Sequence, residues 1–541
     1  MNFLFVNPSS MPSVEMQEFL DKSSILRVPS FSMPIGLVDM TAYVREKMPG
    51  LKAQIIDFGK DMYKLYLDNE RKAISLDEFV EAELGKAEFE PDVVGISVEY
   101  SSAYNASILI AEKVKQKWPD CIVVCGGNHA TNFHQFLLKD RNFDFVIRGE
   151  GEISLLEMLK QLEKGEKVSV VGAMDREKLS KGIKEISPMI ENLDELPMPA
   201  YDLLDIEAYR ETVGASIMFS RGCVYPCTFC ASQTVHGRRV RFKSNEKILA
   251  EFRHLVDDLK FGKIIVEDDL FAANKKNFFK LADEMIKYKD RVKYFLPQGL
   301  SVHVLDEQII DIMIKMGINR AAIAIESGSE FTQKNIIKKN IDLEKAKRVL
   351  GYLRQKDFYI YVNFILGFPD ENMELMQETI DYMKSLDVDW IYIFHALPLP
   401  GSELYNTLVE RKIIDPEKFD WDDLRLGRRG FDTPEISAKD LQNLVYDTNI
   451  EVNFFSASNL RLKRFKRAVE VFNYHILGLY PFHIVGRYCR GLAYQGLGEQ
   501  EKAEQDFRDC VEWIGKDKES KRLFERYGKR MPLLEKYLQE K

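Results

Sequence analysis

No stretch of this 541-residue sequence reaches the ~18 consecutive apolar residues of a membrane-spanning helix. The least polar part near its C-terminal end, 471–485, is interrupted by Asn473, His475, Pro481 and His483. The opening MNFLFVNPSS lacks the charged lead-in and long apolar run of a secretory signal. A basic surplus is missing as well: 76 Lys and Arg stand against 85 Asp and Glu, for a net charge of −9. Phosphate contacts dominate nonspecific nucleic-acid affinity, so no nucleic-acid partner is expected. Cysteine is scarce and odd in number, seven in all, which argues against a disulfide framework. A chain of this length buries enough core to do without one, and a reducing cytoplasm is the expected compartment. No Gly-x-Gly-x-x-Gly follows the first strand signal, so a dinucleotide is not expected.

What is present is the composition of a folded protein, 45% apolar and 30% charged, long enough for about three to four domains. Residues 1–165 alternate strand and helix signals. Apolar runs stand at Phe3–Val6, Ala53–Ile56, Val93–Ser97, Cys121–Val124 and Phe143–Ile147, with helical patterns such as Ala103–Trp118 between them. Unbroken apolar runs of this kind mark parallel strands buried on both faces, which predicts a doubly wound α/β domain. Residues 166–211 are polar and irregular, with two prolines within three positions, Pro197 and Pro199, and read as a linker laid against a surface. Six further strands are predicted within 212–411: Ser216–Ser220, Lys263–Glu267, Val292–Pro297, Arg320–Ile325, Tyr359–Leu366 and Asp389–Leu397. Six β/α units predict a partial barrel with its functional groups at the strand ends. From 412 to 541 the chain reads as helical. The segment GRYCRGLAYQGLGEQEKAEQDFRDCVEW spaces Gly491, Tyr494, Gly498, Ala503 and Phe507 as in a tetratricopeptide helix pair.

The chemistry concentrates in SRGCVYPCTFC, where Cys223, Cys227 and Cys230 follow the first strand of the second region. Zinc wants four ligands, and only His236, six residues on, could complete a Cys3His site. A 4Fe-4S cluster normally takes four thiolates, so three leave one iron open. This C-x3-C-x2-C motif, with Phe229 before its last cysteine, resembles that of the radical S-adenosylmethionine (radical SAM) enzymes. The resemblance implies that the open iron chelates the amino and carboxylate groups of S-adenosylmethionine. An electron from the cluster would then cleave that cofactor and yield a 5′-deoxyadenosyl radical. It further implies cofactor contacts at later strand ends: Glu267 and Asp268 in KIIVEDDLF for the ammonium group, Glu326 and Ser327 in AIESGS, and Gly367 in NFILGFPDE. Asp268 or Asp269 could equally cap a helix, and Gly367 could be a plain turn glycine. No catalytic residue is assigned beyond the cluster ligands.

In the first domain, PIGLVDMTAYVRE, PDVVGISVEY, VVCGGNHAT and DFVIRGEGE resemble the cobalamin-binding domain attached to one large radical SAM class. Pro8, Ser97, Gly126, Gly127 and Asn128 follow strands at one sheet edge, where a corrin and its nucleotide tail could dock. Many cobalamin proteins carry Asp-x-His-x-x-Gly, whose histidine binds cobalt; that motif is missing, so cobalamin is expected without a motif histidine. His129 reads as a loop or core residue, and Cys121 and Cys125 as buried apolar ones.

The resemblance therefore implies a radical SAM enzyme with a 4Fe-4S cluster, S-adenosylmethionine and cobalamin. The expected outcome is methyl transfer from methylcobalamin to a small-molecule or peptide substrate. An electron donor such as flavodoxin or ferredoxin is implied too. The alternative keeps both domains and ends in a cyclisation, ring rearrangement or carbon–carbon coupling. A transfer-RNA methylthiotransferase fits less well, lacking upstream cluster cysteines and a basic RNA-binding appendage. The non-enzyme alternative is a zinc-stabilised scaffold with a partner-binding helical tail. The run RLKRFKR, 461–467, reads as a solvated helix face or, more sharply, as a clamp for an anionic substrate. The C-terminal region is expected to cover the barrel mouth and select the substrate.

Overall fold

The computed structural model describes residues 1–23, 29, 31–68, 72–424 and 429–540. The chain divides into two compact units. One comprises 1–319, 337–339 and 396–433, and the other 320–336, 340–395 and 434–541. The division falls inside the second run of β/α units, away from residues 211 and 411.

The first unit opens with a six-stranded sheet: β1 Asn2–Asn7, β2 Lys52–Asp57, β3 Val93–Ser97, β4 Ile122–Gly126, β5 Phe145–Ile147 and β6 Ala173–Met174. The order is β2-β1-β3-β4-β5-β6, parallel throughout except that β6 pairs antiparallel with β5. Successive side chains of β1 enter opposite cores. Leu4 and Val6 pack into one apolar cluster, Phe3 and Phe5 into the other. Both faces are buried, and this is why the strands read as continuous apolar runs. Helices α1 Ile35–Lys47, α2 Tyr104–Lys117, α3 Asn128–Leu137 and α4 Glu152–Glu163 connect and flank these strands. Strand order reverses between β1 and β3, which opens a ligand crevice beyond their carboxyl ends.

The stretch read as a linker does more than lie on a surface. It supplies β6, and its Val168, Val170, Ala173, Ile190, Leu193 and Leu196 are buried in the cluster that holds Phe3. A two-residue strand and singly spaced apolar residues leave no periodic signal. The segment 412–424 also belongs to this unit. Trp421 packs edge-on against His129 and Phe133, and Asp422 accepts from the Ser13 backbone at 2.9 Å.

The same unit continues with β7 Ala215–Ile217, a hairpin of β8 Ser220–Arg221 and β9 Arg241–Phe242, then β10 Lys263–Val266 and β11 Tyr294–Pro297. Strands β11-β10-β7 form a parallel sheet. The expected strand Ser216–Ser220 is cut at residue 218. Asp268 accepts from the backbone of Phe219 at 2.7 Å and of Ser220 at 3.1 Å, so a carboxylate replaces the ladder there.

In the second unit β12 Arg320–Glu326, β13 Tyr359–Leu366 and β14 Trp390–His395 form a parallel sheet in that order. The six β/α units are thus hydrogen-bonded as two three-stranded sheets. Helix α5 Met373–Ser385 leads into β14. Helices α6 Phe465–Phe472, α7 Ile484–Gly496 and α8 Gln500–Lys516 share one core with Tyr359 and Trp390. The helix pair α7–α8 is present and closely packed: a Cβ on Gly491 would stand 2.6 Å from the Phe507 ring.

The basic run 461–467 divides: Arg461, Lys463 and Lys466 are exposed, whereas Arg464 and Arg467 are engaged by acids. Arg467 binds Asp389 at 2.9 Å and stacks over Tyr359 at 4.2 Å. Arg464 pairs with Asp387, and Arg461 donates to the Leu386 carbonyl at 3.3 Å. Asp387 and Asp389, 77 and 78 residues upstream and invisible to a local reading, take up the charges of Arg464 and Arg467.

Candidate active site

The cysteine motif lies in the loop of the β8–β9 hairpin, and none of the seven cysteines is in a disulfide. Asp269 ties both ends of that loop. It accepts from the Gly222 backbone at 2.8 Å and from the Ser232 hydroxyl. Burial pushes the Cys223 and Cys230 thiols up, and the Asp269 charge adds to this, while Lys339 pulls the other way. His236 points Nδ1 at Glu150, 2.9 Å away, so the candidate fourth zinc ligand is engaged elsewhere. Among the described residues no three His, Cys, Asp or Glu side chains are gathered tightly enough for a single metal ion. A cluster carries its thiolates on separate irons, farther apart than the ligands of one zinc. Three cysteines at this spacing are a donor set that would leave one iron of a 4Fe-4S cluster open.

Beside this hairpin, still within the first unit, lies a cavity of about 550 Å³. Its walls are the loops after β1 (Asn7 to Ser10), β3 (Ser97, Glu99, Tyr100), β4 (Asn128) and β5 (Glu150 to Glu152), facing Met218, Arg221, His236, Glu267 and Asp269. It occupies the strand-order switch of the first sheet. Of the three neighbouring acids, Glu267 and Asp269 line the cavity. Glu267 accepts from Ser216 at 3.1 Å. Asp268 does not line it: Phe219, Ser220 backbone and Ser220 hydroxyl donate to its two oxygens, and burial raises its carboxyl to about 7. Glu99 opens onto the same cavity, where burial and the Glu267 charge both raise its carboxyl. Sequence reasoning left Glu99 and Tyr100 out of the site, although both stand in the quoted PDVVGISVEY, and weighed His236 only as a zinc ligand.

A buried charge network joins the two sides of the cavity. Arg221 binds Glu152 at 2.7 Å and Asp39 at 3.3 Å, and Arg241 donates to Glu150 at 3.0 Å. Hydrogen bonds from His236 and Arg241, with the Arg221 charge, hold Glu150 down at about 2 despite its burial. A second, smaller slot of about 60 Å³ runs under Ser97 between the strands and helices α1 and α4, lined by Gly95, Gly126, Gly127 and Gly151.

The expected cobalamin residues separate by role. Pro8, Ser97 and Asn128 line the large cavity, whereas Gly126 and Gly127 line the slot. Gly127 has φ +108°, and a Cβ there would meet the Val98 backbone at 2.8 Å. Its glycine is therefore demanded by the loop itself, and Gly127→Val cannot serve as a selective probe of the corrin. Gly36 lines the cavity with nothing within 4 Å of an added Cβ, and Gly126 has only ordinary contacts. His129 is 2% exposed, with Nδ1 2.9 Å from the Ser101 hydroxyl and its pKa lowered by burial to about 3.

In the second unit, Glu326 ends β12 with φ +73°, at a register shift against β13. A non-glycine residue there stores backbone strain of the kind found at functional sites. Ser327 is fully buried and its hydroxyl is 2.9 Å from that of Thr379 on α5. Gly367 follows β13 at φ +86°, and its N–H donates to Glu371 at 2.8 Å. Burial raises the Glu371 carboxyl to about 7.

Two family models match this chain, the radical SAM superfamily over residues 217–383 and the B12 binding domain over 29–159. An uncharacterized methyltransferase of Pyrococcus horikoshii is 30% identical over 336 residues, 60% of this chain and 71% of the relative. The chain belongs to the radical SAM enzymes that carry a B12-binding domain. The cytidylyl-2-hydroxyethylphosphonate methyltransferase of Streptomyces wedmorensis is 28% identical over 438 residues, 72% of this chain and 80% of that one. The solved cobalamin-dependent S-adenosylmethionine radical enzyme OxsB, with aqua-cobalamin and S-adenosylmethionine bound, shares the fold. Its TM-score is 0.61 at 15% identity, covering 100% of this chain and 83% of that chain.

Membership brings the cofactors of a radical SAM enzyme with a B12 domain: a 4Fe-4S cluster, S-adenosylmethionine and cobalamin. The residues present fit them. Three cysteines match the cluster, and the glycine-lined slot beneath a polar cavity matches a flat ligand with a tail. Among the described residues no helix is long and apolar enough to cross a membrane.

Proposed function

We propose that this chain is a cobalamin-dependent methyltransferase that uses radical chemistry to methylate an unactivated carbon, or a phosphorus, of a small molecule or peptide. The observation that carries the reading is the single cavity walled by the cobalamin-side loops and by the cysteine hairpin with Glu267. When bound, the cluster and S-adenosylmethionine supply a hydrogen-abstracting radical, and cobalamin supplies the methyl group. The chain's own part is to hold and orient. Cys223, Cys227 and Cys230 would carry the iron. Glu267 would accept the cofactor's ammonium group, since Asp268 is taken up by the hairpin backbone. Asp269 fixes the loop between the two. Glu326, Ser327 and Gly367 would serve the rest of S-adenosylmethionine, and Pro8, Ser97, Asn128 and Gly126 cobalamin. The functional division we read is 1–165 for cobalamin, 166–211 as its extension, 212–411 for the radical step and 412–541 for substrate selection.

The test is an anaerobic incubation of cluster- and cobalamin-loaded protein with S-adenosylmethionine and candidate extracts, read by mass spectrometry. The reading expects 5′-deoxyadenosine, S-adenosylhomocysteine and a product heavier by one methylene unit. Deoxyadenosine without S-adenosylhomocysteine would favour cyclisation or coupling. Gly36→Phe probes the cavity itself: its Cβ meets nothing within 4 Å and its ring would occupy the cavity, so cobalamin retention should be lost while iron content is kept. Unchanged cobalt content in that variant counts against this docking site.

A further inference from the structure

We infer that Glu99 recognises the positive sulfonium of S-adenosylmethionine and so separates the methyl donor from its spent form, S-adenosylhomocysteine. The inference rests on the proposed function, in which Glu267 takes the ammonium group of that cofactor.

Among the described residues six carboxylates line the 550 Å³ cavity, and five of them are engaged. Asp57 accepts from the Tyr209 hydroxyl, Glu150 lies 2.9 Å from His236 Nδ1, and Glu152 accepts from Arg221 at 2.7 Å. Glu267 accepts from Ser216 at 3.1 Å and Asp269 from the Gly222 backbone at 2.8 Å. Glu99 is the exception: among the described residues its carboxyl has no hydrogen bond and no ion pair. Water reaches it through the cavity, yet the walls desolvate it enough, together with the Glu267 charge, to push the carboxyl up. Arg221 is the one Lys or Arg among the described lining residues, and it is taken by Glu152 and Asp39. An open carboxylate beside another acid in a partly desolvated space is stabilised by a cation from outside the chain.

The backbone fixes this carboxylate in place. The Glu99 carbonyl accepts from the His129 N–H at 3.3 Å, and the Val98 carbonyl from that of Ala130 at 3.2 Å. Gly127 closes on the same two residues: a Cβ there would stand 2.8 Å from the Val98 carbonyl and 2.9 Å from the Glu99 nitrogen. The glycine that the loop demands is thus also what sets Glu99 at the cavity wall. Tyr100, 48% exposed, lines the same cavity beside it and adds an aromatic ring, which also favours a cation.

S-adenosylmethionine carries two positive groups. With the ammonium on Glu267, the second is the sulfonium, which bears the methyl group that cobalamin must receive and so belongs towards the cobalamin-side loops. Glu99 is the open acid on those loops. A sulfonium has no N–H or O–H to donate, so a protein recognises it by charge alone. S-adenosylhomocysteine is the donor less its methyl and that charge; it keeps the ammonium. A site that consumes one donor for the methyl and another for the radical must let the spent form go, and Glu99 holds only the donor.

The test is calorimetric titration of cluster- and cobalamin-loaded protein with S-adenosylmethionine and with S-adenosylhomocysteine, without reductant so that neither is consumed. The parent should prefer S-adenosylmethionine. Glu99→Gln should weaken S-adenosylmethionine about tenfold and leave S-adenosylhomocysteine within about twofold of the parent. Glu267→Gln should weaken both by a similar factor, since both carry the ammonium. Iron and cobalt content of each variant should match the parent. Equal losses, or none, for the two ligands in Glu99→Gln would overturn the inference, as would a parent that binds them equally. An altered cobalt absorption spectrum in Glu99→Gln with an unchanged preference would put this side chain on cobalamin and overturn it too. A parent that binds neither ligand would overturn the radical SAM reading itself.

Discussion

Two basic runs of this protein look alike in sequence and end in different places. RRVRFK, 238–243, follows the cysteine loop, and RLKRFKR, 461–467, runs into the first turn of α6. Both send arginines onto buried carboxylates. The first run's Arg241, with Arg221 across the hairpin, holds Glu150 and Glu152, which form part of the wall of the 550 Å³ cavity. The second run's Arg467, with Arg354, surrounds Asp389, which has no open side chain surface and lines no large cavity. The chemistry of pairing is the same; only the neighbouring space differs. A buried ion network becomes functional when one wall of it is left for a ligand.

The largest expected effects come from cutting each network at its centre. Asp389→Ala takes the buried acid from Arg354 and Arg467, leaving them the more exposed Asp387 and Asp357, and leaves the Ile360 N–H, 2.8 Å away, without that acceptor. Removing one partner of a buried pair costs about 3–5 kcal/mol, so the second unit should lose that much in denaturant unfolding. Cobalamin retention should be unaffected. Arg221→Met should cost a similar amount and in addition release cobalamin, because Glu152 and Asp39 lose the cation that holds them. If both variants keep cobalamin equally well, the contrast between the networks falls.

Acid separates the networks from a neighbour with the opposite shift. Glu150 is held near 2 in the fold against an ordinary value of 4.5. Its contribution is complete above about 4.5 and drains as pH falls towards 2, a loss of about 3 kcal/mol by linkage. Asp268, raised to about 7 from 3.8, works the other way: its stabilising effect is full below 3.8 and fades as pH climbs through 7. Unfolding free energies of the parent and Glu150→Gln from pH 2 to 5 should converge at the acid end. Parallel curves would mean that the network does not hold this carboxylate.

One step from the first run's hairpin, two adjacent acids divide binding from architecture. Glu267→Gln should weaken S-adenosylmethionine by about 1.5–3 kcal/mol, roughly ten- to over a hundredfold, as a charge-assisted hydrogen bond is lost. Asp268→Asn should change affinity far less and lower stability instead, because its oxygens receive Phe219 and Ser220. Calorimetric titration of both variants decides; equal losses of affinity would put both acids on the cofactor.

Much of this was legible in the chain. Continuous apolar runs gave the first sheet nearly strand for strand, since burial on both faces removes the polar alternation. The cysteine spacing gave the family. What stayed hidden depends on distant partners. Asp268 and Glu267 are neighbours in sequence, and only the position of Ser220 tells which one is consumed. Gly127 read as room for a ligand, but its space is taken by the Val98 backbone. The strand β6 is too short to show a period. The fate of 461–467 was fixed by Asp387 and Asp389, which no local pattern connects to it.

The smallest expected effect lies at the outer end of the second run. Arg464 donates to Asp387 at 2.9 Å and to Asn459 at 2.9 Å, but both members of the ion pair remain about one-third exposed. Water screens such a pair and competes for its donors, so Arg464→Ala should cost about 1 kcal/mol or less. That is a fraction of the Asp389→Ala loss, although the two sites are neighbours in one network. Thermal unfolding at low and high salt gives the check: the difference between parent and Arg464→Ala should shrink as salt rises, whereas the Asp389→Ala difference should persist. Turnover should not change, because this guanidinium already has an acid and is not waiting for an anionic substrate. A large loss of substrate affinity in Arg464→Ala would restore the anion clamp and make the second run functional after all.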